Sequence, residues 1–355
     1  MKHILLFFLA GCFILSSCSK AAEEPEVFIV ALWNVQTLFD GNEAGTEFRD
    51  FRESAGWTAE KYQARLTILS QAILRMLPSG TQPPALIGFN EIENLGVLDD
   101  LAGRNLGRYG YNWTAFSSLP GAAMGLGFIS RYPITDIRAH SITVERGTAP
   151  RPVLEVRVEP QGEPLVFLLC HWKSKLGNDT EILRRASARV VQRRLRELRS
   201  SEPDTPVIVM GDLNETHDEF YKRGETDLRL YSLLPDDPDL AELKQRLPAG
   251  ERDFLILSAE KPPQSLIECI PPLYSTWWEE DKHEGTYFFR GGWETIDHFL
   301  LSEALFNGAG WVFKNSQVLN YEPFITSGGA PNSYISKSGR GLSDHLPLLL
   351  YLQYR

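Results

Sequence analysis

The chain has 355 residues, 43% of them hydrophobic, and a formal net charge of −10. That length and apolar content suit one large globular domain or two smaller ones, and they exclude a disordered, fibrous or repeat protein. An acidic body does not draw in polyanions from a distance, so any phosphate-bearing substrate would have to meet local positive charge or a bound metal.

The chain opens with Lys2 and His3, then an apolar run from Ile4 to Leu15, then Ser16-Ser17-Cys18. A charged start, a short apolar core and small residues before a cleavage point read as an export signal. The run is too short to span a bilayer. Leu15-Ser16-Ser17-Cys18 resembles the bacterial lipoprotein box; Leu9-Ala10-Gly11-Cys12 also fits, but with a very short apolar stretch ahead of it. The resemblance implies removal of residues 1–17, a lipid on Cys18, an acidic tether over 18–26 and export to the cell envelope, with Ser19 favouring the outer membrane. Cys170 sits in an apolar strand and is expected as a small hydrophobe, not as a disulfide partner of Cys269.

Val27 to Trp33 reads as a strand whose first polar residue is Asn34. Thr58 to Leu77 reads as an amphipathic helix, because Tyr62, Leu66, Leu69, Ile73 and Leu77 recur at spacings of three and four. Ala85 to Phe89 is the next strand and stops on Asn90-Glu91; a helix follows to about Leu106. Phe128 and Ile129 leave a glycine-rich stretch as a strand, and Val153 to Val158 alternates like a half-buried one. Leu165 to Cys170 is continuously apolar and ends on His171-Trp172-Lys173-Ser174-Lys175. Thr180 to Arg199 is an arginine-rich helix, for which a solvated face is favoured over a nucleic-acid contact.

Val207 to Met210, behind Pro206, reads as a buried strand that stops on Gly211 and delivers Asp212 and Asn214 on one side. Residues 215–290 read as loop-rich with short helical patches. Thr295 to Ser302 is a strand containing Asp297, and 323–340 is a long Gly/Ser/Pro/Asn loop. Ser343-Asp344-His345 precedes the closing strand Leu348 to Leu352. Strands interspersed with helices, with no linker to split residues 27–355, give an α/β or α+β domain.

One pattern repeats along this order. Apolar strands stop on Asn34, Glu91, His171, Asp212 with Asn214, and Asp344 with His345, while Asp297 lies in a further strand. Strand ends that share an edge would converge on one site. Carboxylates, carboxamides and imidazoles without cysteine suit a hard ion such as Mg²⁺ or Mn²⁺.

Trp33-Asn34-Val35, Asn90-Glu91-Ile92, His171-Trp172-Lys173-Ser174, Gly211-Asp212-Leu213-Asn214, Ile296-Asp297-His298 and Ser343-Asp344-His345 together resemble the motifs of the endonuclease/exonuclease/phosphatase superfamily, in the same order. The resemblance implies a four-layer sandwich, two mostly antiparallel sheets face to face with helices outside, as in DNase I. It also implies metal-dependent cleavage of phosphoester bonds. On that likeness Glu91 would be the principal ligand of one or two ions, with Asn34 beside it and Asp344 as a further ligand. Asp212 and Asn214 would position the attacking water and phosphate oxygens. His345, oriented by Asp297, would act as base or as phosphate-stabilising imidazolium, and His171 would protonate the leaving oxygen.

Two features depart from the family's pattern. Asn90 stands where Gln is frequent, and Gly121 to Phe128 lacks the acid that braces the leaving-group histidine in DNase I. Around the site, Arg151, Lys173 and Lys175 could meet a substrate phosphate or form surface ion pairs. Lys337 and Arg340 could clamp one, and Trp277, Trp278 and Trp293 could stack on a base or dip into lipid if they are not core. His298 is expected to be structural. The reading is a monomeric Mg²⁺-dependent phosphodiester hydrolase with nucleic acid as the leading substrate. The alternatives are a sphingomyelin-like phospholipid or small phosphoester, and a non-catalytic surface binding protein on a retired hydrolase fold.

Overall fold

The computed structural model describes residues 26–145, 147–237, 240, 247–263, 270–279 and 284–355. The export signal, Cys18, most of the tether and Cys269 lie outside the described residues.

Two sheets build the domain. The first holds β1 (Val27–Leu38), β2 (Leu86–Ile92), β3 (Trp113–Ser117), β4 (Gly125–Ser130), β15 (Trp311–Val318) and β16 (Leu348–Tyr354), in the order β15-β16-β1-β2-β4-β3. The second holds β5 (Ile134–His140), β6 (Val153–Val158), β7 (Leu165–His171), β8 (Val207–Asp212), β9 (Leu233–Pro235), β10 (Leu255–Ser258), β11 (Pro272–Ser275) and β14 (Asp297–Leu301), in the order β5-β6-β7-β8-β14-β11-β10-β9. A short hairpin, β12 (Tyr287–Phe289) with β13 (Gly292–Glu294), stands apart. Antiparallel pairs predominate; β1 with β2, β7 with β8, and β10 with both β9 and β11 run parallel.

The sheets pack face to face, as their apolar strand runs require. Phe89, Phe128, Phe167, Leu169, Met210 and Phe299 are all fully buried in one core between them. The contact is tight: a Cβ on Gly88 would come within 2.7 Å of Met210 Cε. α1 (Ala59–Ile73) covers the first sheet with Tyr62, Leu66, Leu69 and Ile73 buried, and the Thr58 hydroxyl accepts the Lys61 N–H at its start. α3 (Thr180–Ser201) covers the second sheet. α2 (Leu95–Asp99), capped by the Asn94 side chain, runs on into wider turns over 100–105.

Three readings of the sequence need correction. Val153–Val158 is buried on both faces; Glu155 survives there because Arg194 grips both its oxygens at 2.7 and 2.8 Å and His140 lies at 2.6 Å. The 215–290 region is not only loop and helix, since β9, β10 and β11 extend the second sheet. These strands have three or four residues each, too few for a period to show. The arginines of α3 are only in part a solvated face: Arg189, Arg193, Arg196 and Arg199 are exposed, whereas Arg184 and Arg194 are turned into the protein. Arg184 is buried against Glu215 at 3.4 Å, Arg189 pairs with Asp253 at 2.7 Å, and Arg199 with Glu303 at 3.1 Å. No described helix is long and apolar enough to cross a membrane.

Candidate active site

The strand ends converge because parallel and antiparallel neighbours bring the right termini together. Asn34 and Asn90 are register partners on parallel β1 and β2, and His171 and Asp212 on parallel β7 and β8. β14 runs against β8, so its first residue, Asp297, meets the last of β8, Asp212. Asp297 thus opens its strand instead of lying within it.

The backbone at these ends leaves regular geometry. The β1/β2 ladder shifts register between Asn34 and Leu38, and the β2/β4 ladder between Asn90 and Ile92. Gln36, Thr37, Glu91 and Asn214 adopt left-handed conformations, with φ of 51°, 56°, 67° and 51°. Such residues cost of order 1–3 kcal/mol each and persist where the surroundings impose them. Here the bulge turns Glu91 towards the cleft. Gly211 is required outright: its φ is 140°, and a Cβ there would sit 1.9 Å from the Cys170 carbonyl oxygen.

One cleft of about 230 Å³ is lined by Glu91, His171, Asp212, Asn214, Asp344 and His345, with Tyr287 and Phe289 from the hairpin on one side. Of the residues expected as metal ligands or catalytic groups, Asn34 and Asp297 do not line it; Asn34 lies behind Glu91, and Asp297 sits beneath His345. His345 Nδ1 lies 2.7 Å from Asp297 Oδ2, an oxygen that also accepts the Thr286 hydroxyl at 2.6 Å. Tyr287 stacks on the His345 ring at 4.6 Å. Burial opposes charge on His345, but the carboxylates of Asp297, Asp344 and Asp212 outweigh it and raise the pKa well above the ordinary imidazole value. His345 is thus an imidazolium whose Nε2 lies 4.0 Å from Asp212 Oδ2.

His171 is the opposite case. Burial first, then Arg151, His345 and Lys173, push its pKa well below the ordinary value. Its Nε2 is 3.7 Å from Asp212 Oδ2, and its buried Nδ1 has no hydrogen-bond partner among the described residues. The acid lacking from 121–128 is replaced by nothing on that nitrogen. A neutral His171 offers an N–H; donating a full proton would require an arriving anion to raise its pKa first.

Glu91 has its pKa raised by burial and then by Asp344; His345, Asn34 and Arg151 pull the other way. Like-charged carboxylates held together this way fit a divalent cation, and their oxygens suit a hard one. Asn34 points its amide nitrogen at Glu91 Oε1 (3.3 Å) and Asp212 Oδ2 (3.1 Å), while its oxygen accepts the Gln36 N–H. It would ligate a cation only after its amide turned over. Asp212, Asp297 and His345 also place ligand atoms within 4.8 Å of one another and could hold an ion. That would require His345 to give up its proton, so the Glu91–Asp344 side fits better.

Of the three expected phosphate contacts, Lys175 lines the cleft but is paired with Glu219 at 2.6 Å. Arg151 and Lys173 line an adjoining cavity next to His171 and make no ion pair among the described residues. Lys337 and Arg340 are exposed and line neither cavity. Trp277 is buried and donates to the Asp297 carbonyl at 2.9 Å, a supporting role. His298 is fully buried on the other face of β14, 2.8 Å from the Glu215 carbonyl.

Other residues hold the site without being candidates for the chemistry. Asn90 crosses between the sheets, donating to the Cys170 carbonyl (2.9 Å) and accepting the Asp212 N–H (3.1 Å). The Gln36 side chain accepts from Tyr334 and Asp344 backbone N–H groups at 2.7 and 3.0 Å. Arg65, buried in α1, donates to the Val35 carbonyl at 2.6 Å and lies 3.7 Å over the Tyr334 ring. Burial lowers its pKa to about 9, against the pull of Tyr334 and Asp344. Read from sequence, Arg65 is only a polar interruption of the helix's apolar stripe.

Two stacked sheets whose strand ends gather carboxylates, a carboxylate-bound imidazolium and a second histidine define the DNase I-like class of phosphoester-acting folds. The chain belongs to the endonuclease/exonuclease/phosphatase family, whose profile matches residues 29–224. A search of curated proteins finds no match. Among solved structures it is similar to TDP2 from C. elegans (13% identity, TM-score 0.53, covering 94% of this chain and 77% of that one). It is also similar to an endonuclease/exonuclease/phosphatase family protein from Bacteroides thetaiotaomicron (15%, 0.51, 94% and 96%). A third is D. rerio TDP2 complexed with single strand DNA product (15%, 0.52, 92% and 98%). At these identities the likeness is one of fold.

Proposed function

We propose that the chain is a divalent-metal-dependent phosphodiester hydrolase, exported and held to the cell envelope by a lipid on Cys18. The observation that carries the catalytic part is the meeting of Glu91, Asp212 and Asp344 with the His345–Asp297 pair in one cleft. Glu91 and Asp344, with Asp212 at hand, would hold Mg²⁺ or Mn²⁺. Bound there, the ion would supply positive charge to the phosphoryl oxygens as negative charge accumulates in the transition state.

The protein's own groups do the rest. His345, charged and oriented by Asp297, donates from Nε2 to a phosphoryl oxygen and serves as electrostatic stabiliser more than as base. Asp212 lies between His345 Nε2 and His171 Nε2, and its pKa is raised by burial and by Asp297, so it can accept a proton from the attacking water. Asn214, whose amide nitrogen is held by the Trp172 carbonyl at 3.2 Å, turns its oxygen to that water. His171 meets the leaving oxygen.

Nucleic acid is the leading substrate, supported by Arg151 and Lys173, which make no ion pair among the described residues, and by the single-strand DNA product complexed with the D. rerio TDP2 relative. The test is an assay of plasmid DNA, RNA, sphingomyelin and bis-p-nitrophenyl phosphate with and without Mg²⁺, on the protein and its His345→Ala variant. Metal-dependent DNA nicking lost in the variant is the expected result. Turnover of lipid alone would move the substrate and keep the site; no turnover of any of them would overturn the hydrolase reading.

A further inference from the structure

A second cavity of about 470 Å³ adjoins the catalytic cleft and shares His171 with it. Its walls differ in kind from those of the cleft. Leu119, Ala122, Met124, Pro150 and Leu183 supply them, and Phe48 stands half-exposed at the rim. Among the described residues, Thr148 and the neutral His171 are its only uncharged polar side chains, and the lining holds no carboxylate or carboxamide. The charged groups, Arg151 and Lys173, lie with His171 where the two cavities meet; both act on the His171 charge, and Arg151 also feels Glu91 and Asp212.

We propose that this cavity is the subsite for an uncharged apolar ester group on the scissile phosphate, on the leaving-group side. The inference rests on the hydrolase reading but departs from its leading substrate: the favoured leaving group is an apolar alcohol, not the nucleotide that an internal nucleic-acid bond would release. A phosphate in the cleft would be met by Arg151 and Lys173 at the junction, so its substituent on the His171 side must continue into the apolar space. A nucleobase there would lose most of its hydrogen bonds to water and find only the Thr148 hydroxyl in return beyond the His171 junction, an unfavourable exchange. An alkyl chain or phenyl ring loses nothing and gains burial. Space is sufficient, since a closed apolar cavity of about 150 Å³ already holds benzene. In the reaction, water oxygen bonds to phosphorus, the P–O bond to the apolar alcohol breaks, and that alcohol leaves with a proton while a phosphate monoester remains.

The test uses thymidine 5′-phosphate esters of methanol, butanol and hexanol, whose leaving alcohols have similar acidity, with Mg²⁺ present. kcat/KM for thymidine 5′-phosphate release should climb steeply with chain length, by up to about fourfold per methylene. Ala122→Trp, which fills the cavity, and Leu119→Asp, which charges its wall, should flatten that climb, lowering hexyl ester turnover far more than methyl ester turnover. In the inactive His345→Ala protein, calorimetry should find the hexyl ester bound at least tenfold more tightly than the methyl ester, with no turnover required. Equal kcat/KM for all three esters, with turnover still abolished by His345→Ala, would overturn the subsite and leave the hydrolase standing. No turnover of any ester would overturn the hydrolase reading and the leaving-group assignment with it.

Discussion

Asp212 and Asp297 are direct register partners across antiparallel β8 and β14, two buried carboxylates side by side. Like charges directly opposite in a sheet are destabilising. His345 offsets the conflict from the end of the other sheet's last connection, with Nδ1 at 2.7 Å from Asp297 and Nε2 at 4.0 Å from Asp212. The imidazolium is therefore both part of the chemistry and part of what allows the acids to be there.

Removing either half of that pair should act in the same place. Asp297→Asn keeps shape and withdraws the charge that sustains the imidazolium. Its kcat on a phosphodiester should fall by about 10²–10⁴-fold, as should that of His345→Ala, and the double variant should be little worse than either alone. Additive losses in the double variant would show that the two residues work independently.

Asn90 should matter for stability as well as for geometry. Asn90→Leu leaves the Asp212 N–H and the Cys170 carbonyl without their partners in a dry interface. The expected cost is about 1–3 kcal/mol per orphaned group, read by urea denaturation. Activity should drop too, because Asp212 loses the contact that fixes its backbone. Asn90→Gln, one methylene longer, should recover part of both.

Metal should stabilise the fold as well as support the reaction. The Glu91–Asp344 repulsion is relieved by a cation, so Mg²⁺ at 100 times its Kd should add about 2.7 kcal/mol. Thermal unfolding with EDTA and with Mg²⁺ measures this. Glu91→Gln should raise the melting temperature in EDTA and lose most of the Mg²⁺ response. An unchanged Mg²⁺ response would move the ion away from Glu91.

His298 should make the protein acid-sensitive. Burial holds its pKa down at about 4, against an ordinary 6.5, and its Nε2–H serves the Glu215 carbonyl in the neutral form. Because the folded-state pKa is the lower one, this stability is fully present above pH 6.5 and is lost as pH falls towards 4. The loss is about 3 kcal/mol at full extent. His298→Gln keeps a donor but does not titrate, so the difference in unfolding free energy between the two proteins should shift by that amount between pH 7 and 4.

Much of the site was legible before any coordinates. Asn34, Glu91, His171, Asp212, Asn214 and His345 all reach one place, and each could be picked out because a polar residue ends an apolar run. Asp297 was found but placed inside its strand, since no sequence pattern marks the first paired residue of β14. The small strands β9 to β11 leave no mark in the sequence, because three or four residues carry too little pattern to outweigh the glycines and prolines between them. Arg184 and Arg194 were read as solvated because their acidic partners, Glu215 and Glu155, are distant in sequence.

The sequence by itself determined the fold class, the family and the identity of the groups that carry the chemistry, since local patterning and residue type suffice for those. Only the tertiary structure decided their charge states. His345 and His171 are both buried imidazoles at strand ends, yet three carboxylates hold one charged, and burial with three cationic side chains keeps the other neutral. The structure alone also revealed Arg65 beneath the 334–344 loop and the apolar cavity past His171. Protonation and cavity shape depend on which distant residues become neighbours, and that is settled by strand order and packing, not by any stretch of the chain read alone.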